Sequence, residues 1–155
     1  NYSGDIYFNN INIKSINLDY LRRQIGYIKQ DDILLPGSIL FNITLGKKYE
    51  NLNLQKLLKS LQLYTEIQNM PMGIHTIINE NNISGGQKQK ILLARALFKK
   101  PNMLLLDEAT ANVDLSSEEK IIELILSIPL SKIIVTHRKH IIQKLCDKKF
   151  FILNL

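Results

Sequence analysis

Apolar residues recur along this chain at several spacings, and each spacing predicts a different element. Near the start, Ile6, Phe8, Ile11 and Ile13 are separated by polar residues, with Asn9-Asn10 between the two halves. Alternation about such a pair predicts a short antiparallel hairpin. Leu18 to Arg23 has a short helical pattern, and Ile25-Gly26-Tyr27-Ile28 predicts a strand ending at Lys29-Gln30. Asp31-Asp32 and Pro36-Gly37 mark a loop, after which Ser38 is placed to cap a short helix through about Ile43.

From Leu54 to Ile67 the spacing is helical, with Leu54, Leu57, Leu58 and Leu61 on one side. Pro71 to Asn82 is polar and irregular. Ser84 then opens a predicted helix reaching about Lys99, which Pro101 stops. Met103 to Leu106 is a continuous apolar run, as expected of a parallel strand buried on both faces. Ser116-Ser117-Glu118-Glu119 resembles a capping box for a helix reaching Ser127. Ile133-Ile134-Val135-Thr136 predicts a second buried strand ending at His137. A helix over Lys139 to Cys146 and a strand from Phe150 to Leu153 complete the pattern.

Strands alternating with helices imply an α/β core around a parallel sheet. Ligands of such sheets gather beyond the carboxyl ends of the strands. Gln30, Asp107-Glu108 and His137 all fall at predicted strand ends, so a single shared pocket is expected there.

Composition narrows the class without naming it. The 155 residues, 45% hydrophobic and 22% charged, suit one globular domain, and no apolar run approaches the roughly 20 residues that span a bilayer. The net charge is +6, but the lysines are scattered and form no basic tract, which argues against a nucleic-acid partner. One cysteine, Cys146, excludes an internal disulfide, favours a reducing compartment and lies in an apolar stretch that suits packing. The first residues, Asn1-Tyr2-Ser3-Gly4-Asp5, carry neither an initiator Met nor a signal-peptide pattern and suggest a cut edge.

The polar clusters carry the chemistry. Ser84 and Gln87 have the spacing of a capping box, which does not require Gly85-Gly86, and each glycine costs a helix about 1 kcal/mol. Two glycines at a helix N-terminus make sense where a bulky anion approaches the backbone, because free N–H groups and the positive dipole end meet there. Asp107-Glu108 ends an apolar strand, where two carboxylates are costly unless they serve a cation or a reaction. The first can hold Mg²⁺ and the second can polarise an attacking water; the lesser alternative is that Asp107 caps the next turn. Taken singly, His137 suits a hydrogen-bonded structural histidine, Gln30 a polar loop and Asp114 a turn.

Taken in order, Gln30, Ser84-Gly85-Gly86-Gln87, Leu104-Leu105-Leu106-Asp107-Glu108-Ala109-Thr110, Asp114 and His137 resemble the motif succession of the ATP-binding cassette (ABC) ATPases. These positions correspond to that family's Q-loop, signature, Walker B, D-loop and H-loop. Leu21 to Gln30 resembles the approach to the Q-loop, and Gly37 to Ile43 the segment that follows it in exporters. The resemblance runs from Ser3-Gly4-Asp5-Ile6 to Leu153. It implies a P-loop NTPase-like parallel sheet core with an N-terminal antiparallel β portion and a helical signature subdomain. Residues 1–30 and 101–155 would form the sheet region and 31–100 the Q-loop and helical subdomain.

The resemblance also implies a mechanism. Two such domains would enclose two ATP molecules head to tail, with Ser84, Gly85, Gly86 and Gln87 meeting the γ-phosphate bound by the opposite domain. Asp107 and Gln30 would organise Mg²⁺, Glu108 would polarise water, His137 would steady the γ-phosphate and Asp114 would connect the half-sites. A transmembrane domain would be the second partner, on the cytoplasmic face of a bacterial membrane. Met70-Pro71-Met72-Gly73, Thr76 and Glu80 give the pattern an exporter character, with bacteriocin or peptide export as one subtype. A soluble relative acting on DNA or ribosomes fits less well, since the long coiled-coil insertion of the chromosome-organising relatives is absent.

The departures are specific. No G-x-x-x-x-G-K-[ST] occurs in the sequence, so the backbone cradle and lysine for ATP phosphates are lacking. In the family that loop precedes the Ser3-Gly4-Asp5-Ile6 segment, so the N-terminal part of the domain is expected to be missing and the chain to be a fragment. An alternative is a non-catalytic cassette that lends only its signature in trans. Ile83 stands in place of a leucine, Lys90 in place of an arginine, and the loop from Thr76 to Ile83 is about two residues short of the exporter pattern.

Overall fold

A computed structural model describes residues 3–79, 82–110 and 113–138. The opening alternation closes as a hairpin of β1 (Tyr7–Phe8) and β2 (Ile11–Asn12), whose turn residues Asn9 and Asn10 have φ of 49° and 63°. Asparagine tolerates this left-handed region better than most residues. Asn17 then caps α1 (Leu18–Gln24) by accepting the amides of Asp19 and Tyr20.

β3 (Ile25–Ile28) follows, then β4 (Gly37–Ser38) and α2 (Ile39–Thr44), capped by Ser38 as expected. The single helix predicted from Leu54 to Ile67 is instead two, α3 (Asn51–Ser60) and α4 (Tyr64–Gln68). Gln62 breaks them apart with φ of 53°. Leu58, Leu61, Leu63 and Ile67 are all buried, so the apolar spacing continues across the break and conceals it.

The stretch expected to be irregular contains a 3-10 turn at Gly73–His75 and β5 (Ile77–Ile78). β5 pairs antiparallel with β4, Gly37 opposite Ile78. α5 (Gly85–Phe98) and β6 (Met103–Asp107) lie where the sequence placed them, followed by α6 (Leu115–Ser127) and β7 (Ser131–Val135). The cap of α6 is Asp114, which accepts the Ser117 amide, and not the predicted Ser116 box. The predicted elements beyond residue 138, and Cys146, lie outside the described residues.

β3, β6 and β7 form a parallel sheet in that order, with Ile28 beside Leu106 and Leu106 beside Ile134. α5 packs on the face carrying Gly26 and Leu104, where a Cβ on Gly26 would lie 2.8 Å from Leu104 and 3.0 Å from the Ala96 carbonyl oxygen. Ile28, Leu104 and Leu106 join Ile91, Leu92, Leu93, Ile121 and Ile125 in one core. The expectation of strands buried on both faces is corrected. Tyr27 and Ile133, flanking half-buried Leu105 on the opposite face, are exposed among the described residues.

Candidate nucleotide site

The parallel register brings the carboxyl ends of β3, β6 and β7 to one edge of the sheet. β6 delivers Asp107 opposite Val135, and the Glu108 amide then donates to the Val135 carbonyl at 2.9 Å. Glu108 has φ of 47°, a left-handed conformation costing a non-glycine residue about 1–2 kcal/mol. Its side chain is anchored from the next strand end. The His137 amide donates to Glu108 Oε1 at 2.8 Å, and His137 Nδ1 lies 2.7 Å from the same oxygen. The Thr136 hydroxyl donates a long bond of 3.5 Å to Oε2. With this arrangement the strained backbone aims a nearly buried carboxylate toward a histidine whose side chain is 78% exposed.

Gln30 lies just past β3 in an exposed turn closed by the Lys29 amide donating to Asp32. β3 borders β6, so Gln30 stands at the same sheet edge. Among the described residues no hydrogen bond joins it to Asp107, Glu108 or His137. Two cavities among the described residues, of about 480 and 330 Å³, lie along α3 and the end of α5, and neither contains a candidate site residue. At the strand ends Gln30 and His137 are exposed.

Ser84 and Gln87 form the predicted capping box at the start of α5. The Gln87 amide donates to Ser84 Oγ and the Ser84 amide to Gln87 Oε1, each at 3.2 Å. Ser84 and Gly85 are exposed, while Gly86 is buried against α6. A Cβ on Gly86 would sit 3.3 Å from the side chain of Ser117. The first turn of α6, capped by Asp114, therefore backs the signature helix. Helix-start N–H groups that the helix itself does not use suit an anion here. Among the described residues no hydrogen bond links this group directly to Glu108 or His137.

A metal would find oxygen donors at Asp107 and Gln30, which lie at the same sheet edge. No group of three or more His, Cys, Asp or Glu side chains converges among the described residues. Mg²⁺ keeps several waters and takes one or two protein carboxylates alongside phosphate oxygens, and the Asp107 carboxylate with the Gln30 amide oxygen fits such a set.

Several polar residues beneath the site escaped the sequence reading. Asn42 is fully buried inside the apolar pattern of α2, yet it binds Leu35, Ser38 and Arg95. Arg95 also donates to the carbonyls of Asn42 and Ile33. Burial holds the Arg95 guanidinium below its ordinary value, and Asp32 acts in the opposite direction. Lys90, the departure from arginine, donates at 2.6 Å to Glu66 on α4 and so keeps a role as a point charge. Glu118 on α6 pairs with Arg138, next to His137. Lys90 had a sequence signal as a departure from arginine, and Glu118 had one that was assigned to capping.

A family model described as ABC transporter matches residues 1–111, which carry Gln30, the signature and Asp107-Glu108. The chain belongs to the ABC transporter family. Its relatives include a multidrug resistance-like ATP-binding protein, MdlB, of Buchnera aphidicola, 42% identical over 140 residues, covering 87% of this chain and 24% of that protein. The colicin V secretion/processing ATP-binding protein CvaB of Escherichia coli is 36% identical and aligns with 88% of this chain and 20% of its own length. A solved bacterial Atm1-family ABC exporter with ATP bound superposes with a TM-score of 0.79 and 28% identity, over 91% of this chain and 26% of that one. This ABC chain thus spans about a quarter or less of its relatives' length. Its parallel sheet with accessory antiparallel strands is the fold of their ATP-binding domain.

Proposed function

We propose that this ABC domain couples ATP hydrolysis to export across a membrane, as one half of a head-to-tail pair of such domains. The reading rests most on Glu108, whose carboxylate ends β6 and meets both the amide and the ring of His137. Glu108 would orient and polarise the attacking water, and His137 would hold the γ-phosphate while fixing that carboxylate. Asp107 and Gln30 would hold Mg²⁺, which when bound neutralises phosphate charge. Phosphoryl transfer of this kind needs positioning and charge stabilisation and little covalent chemistry.

The α5 N-terminus, Ser84 to Gln87, would serve the nucleotide of the opposite domain, and Asp114 would stand between the half-sites. The attached transmembrane domain would place the protein at the cytoplasmic face of a bacterial membrane, and among the described residues no helix is long and apolar enough to cross it. A second reading rests on the exposed, capped start of α5, through which this chain would lend only its signature in trans.

Substitution at Glu108 tests the first reading. In a domain completed by a relative's phosphate loop, Glu108→Gln should slow ATP hydrolysis by about 10²–10⁴-fold and spare ATP binding, as expected for loss of a general base. Unchanged turnover would remove Glu108 from this role.

A further inference from the structure

We infer that Glu118 and Arg138 form a positioning pair that sets the orientation of His137, and through it of Glu108, from the first turn of α6. The inference builds on the proposed ATPase reading but concerns geometry that can be measured without nucleotide.

Glu118 is 1% exposed and its carboxylate pairs with Arg138, whose side chain is 22% exposed. Burying a carboxylate costs several kcal/mol, and a paired partner in good geometry offsets that cost. A purely stabilising contact could sit anywhere in the core. This one is made by the residue that follows His137.

Each residue of Thr136-His137-Arg138 is tied down. The Thr136 hydroxyl and the His137 amide and ring bind the Glu108 carboxylate. The Arg138 amide donates back to Thr136 Oγ1 at 3.2 Å, which tightens the turn. The Arg138 guanidinium holds the far end to Glu118. His137 lies between two carboxylate anchors, one from β6 and one from α6. Its own side chain is exposed, so packing does not hold it. Its direction is set by these ties.

The α6 end of the connection reaches further. Ser117, beside Glu118, lies against Gly86 of the signature helix, and Asp114 caps the same turn. One helical turn thus touches the signature backbone, carries the D-loop aspartate and grips the residue after His137. A shift of the signature helix against α6 would reach Glu108 through Ser117, Glu118, Arg138 and His137.

The test must separate positioning from stability. Removing one partner strands a buried charge, whereas replacing both by apolar side chains of similar length is often neutral. In the Glu118→Met/Arg138→Met double variant of this chain, the thermal midpoint should stay within a few degrees of the wild type. The His137 amide should nonetheless lose at least tenfold of its hydrogen-exchange protection. In ¹⁵N spectra His137 should lose the Nδ1–H signature that faces the Glu108 carboxylate. Arg138→Lys, which keeps the charge, should restore part of both signals. His137→Gln identifies the resonance.

Wild-type protection and tautomer in a folded double variant would overturn the inference. If the double variant does not fold, Glu118→Gln alone decides, because it removes the charge that holds Arg138 and an unaltered His137 signature in that variant would also overturn the inference. Neither result depends on ATP turnover, so failure here is distinct from failure of the ATPase reading.

Discussion

At Asn42 one amide group uses every hydrogen-bonding site it has. Oδ1 accepts from the Leu35 amide at 2.8 Å and from Arg95 Nη2 at 2.7 Å, while Nδ2 donates to the carbonyls of Leu35 and Ser38. One backbone donor and one backbone acceptor of Leu35, the Ser38 carbonyl and one guanidinium edge of α5 thus depend on a side chain that water does not reach. An apolar replacement of similar size would fit the space and leave these groups without partners, each costing about 1–3 kcal/mol. Asn42→Leu should therefore lower unfolding stability by about 3 kcal/mol, read from urea denaturation at 25 °C. A loss below about 1 kcal/mol would mean that water or a repacked loop satisfies the same atoms. The amide was hidden in the sequence because Ile39, Ile43 and its other neighbours read as an ordinary apolar turn.

Among the elements, those with local signals were legible and those made by distant pairing were not. Ser38, Ser84 and the run from Met103 announce their elements within a few residues, through capping and continuous hydrophobicity. The α3–α4 break was missed because Gln62 adopts a left-handed conformation without a glycine to mark it. β5 was missed because two residues carry no periodicity, and its partner β4 lies about 40 positions earlier in the chain. Glu108 and His137 were legible as a type of chemistry at strand ends, whereas their direct contact is a product of the β6–β7 register. Gly26 belongs with the hidden features, since within Ile25-Gly26-Tyr27-Ile28 it looks like an interruption. It is the point where α5 reaches the sheet, and an added methyl would meet Leu104 at 2.8 Å and both Ala96 and Pro101 at 3.0 Å. Gly26→Ala should cost about 1–3 kcal/mol through overpacking. A stability equal to or above wild type in the same urea titration would show that α5 can move away from β3 freely.

For the molecule as a whole, what the strand-end and signature residues each offer governs what it can do with ATP. The strand-end set offers carboxylates and a histidine, which handle a metal and a water but do not attract a polyphosphate by themselves. The signature set offers the positive end of a helix, yet among the described residues no hydrogen bond links it directly to Glu108 or His137. A charge-assisted hydrogen bond to phosphate contributes about 1.5–3 kcal/mol, and each 1.4 kcal/mol is tenfold in affinity. Losing the lysine and a single backbone donor is therefore enough to turn a micromolar site into one near 1 mM. The sequence contains no phosphate loop to supply them. Titrating this chain with Mg-ATP in a calorimeter should give a Kd no tighter than about 1 mM. Adding a catalytically complete ABC domain should raise nucleotide binding if Ser84 to Gln87 can close over the nucleotide of the partner. Replacing Ser84 with a bulky residue should abolish that gain without unfolding the chain. Micromolar binding by these 155 residues alone would overturn the assignment of phosphate affinity to a lysine-bearing phosphate loop. It would direct attention instead to the α5 N-terminus as a site sufficient in itself.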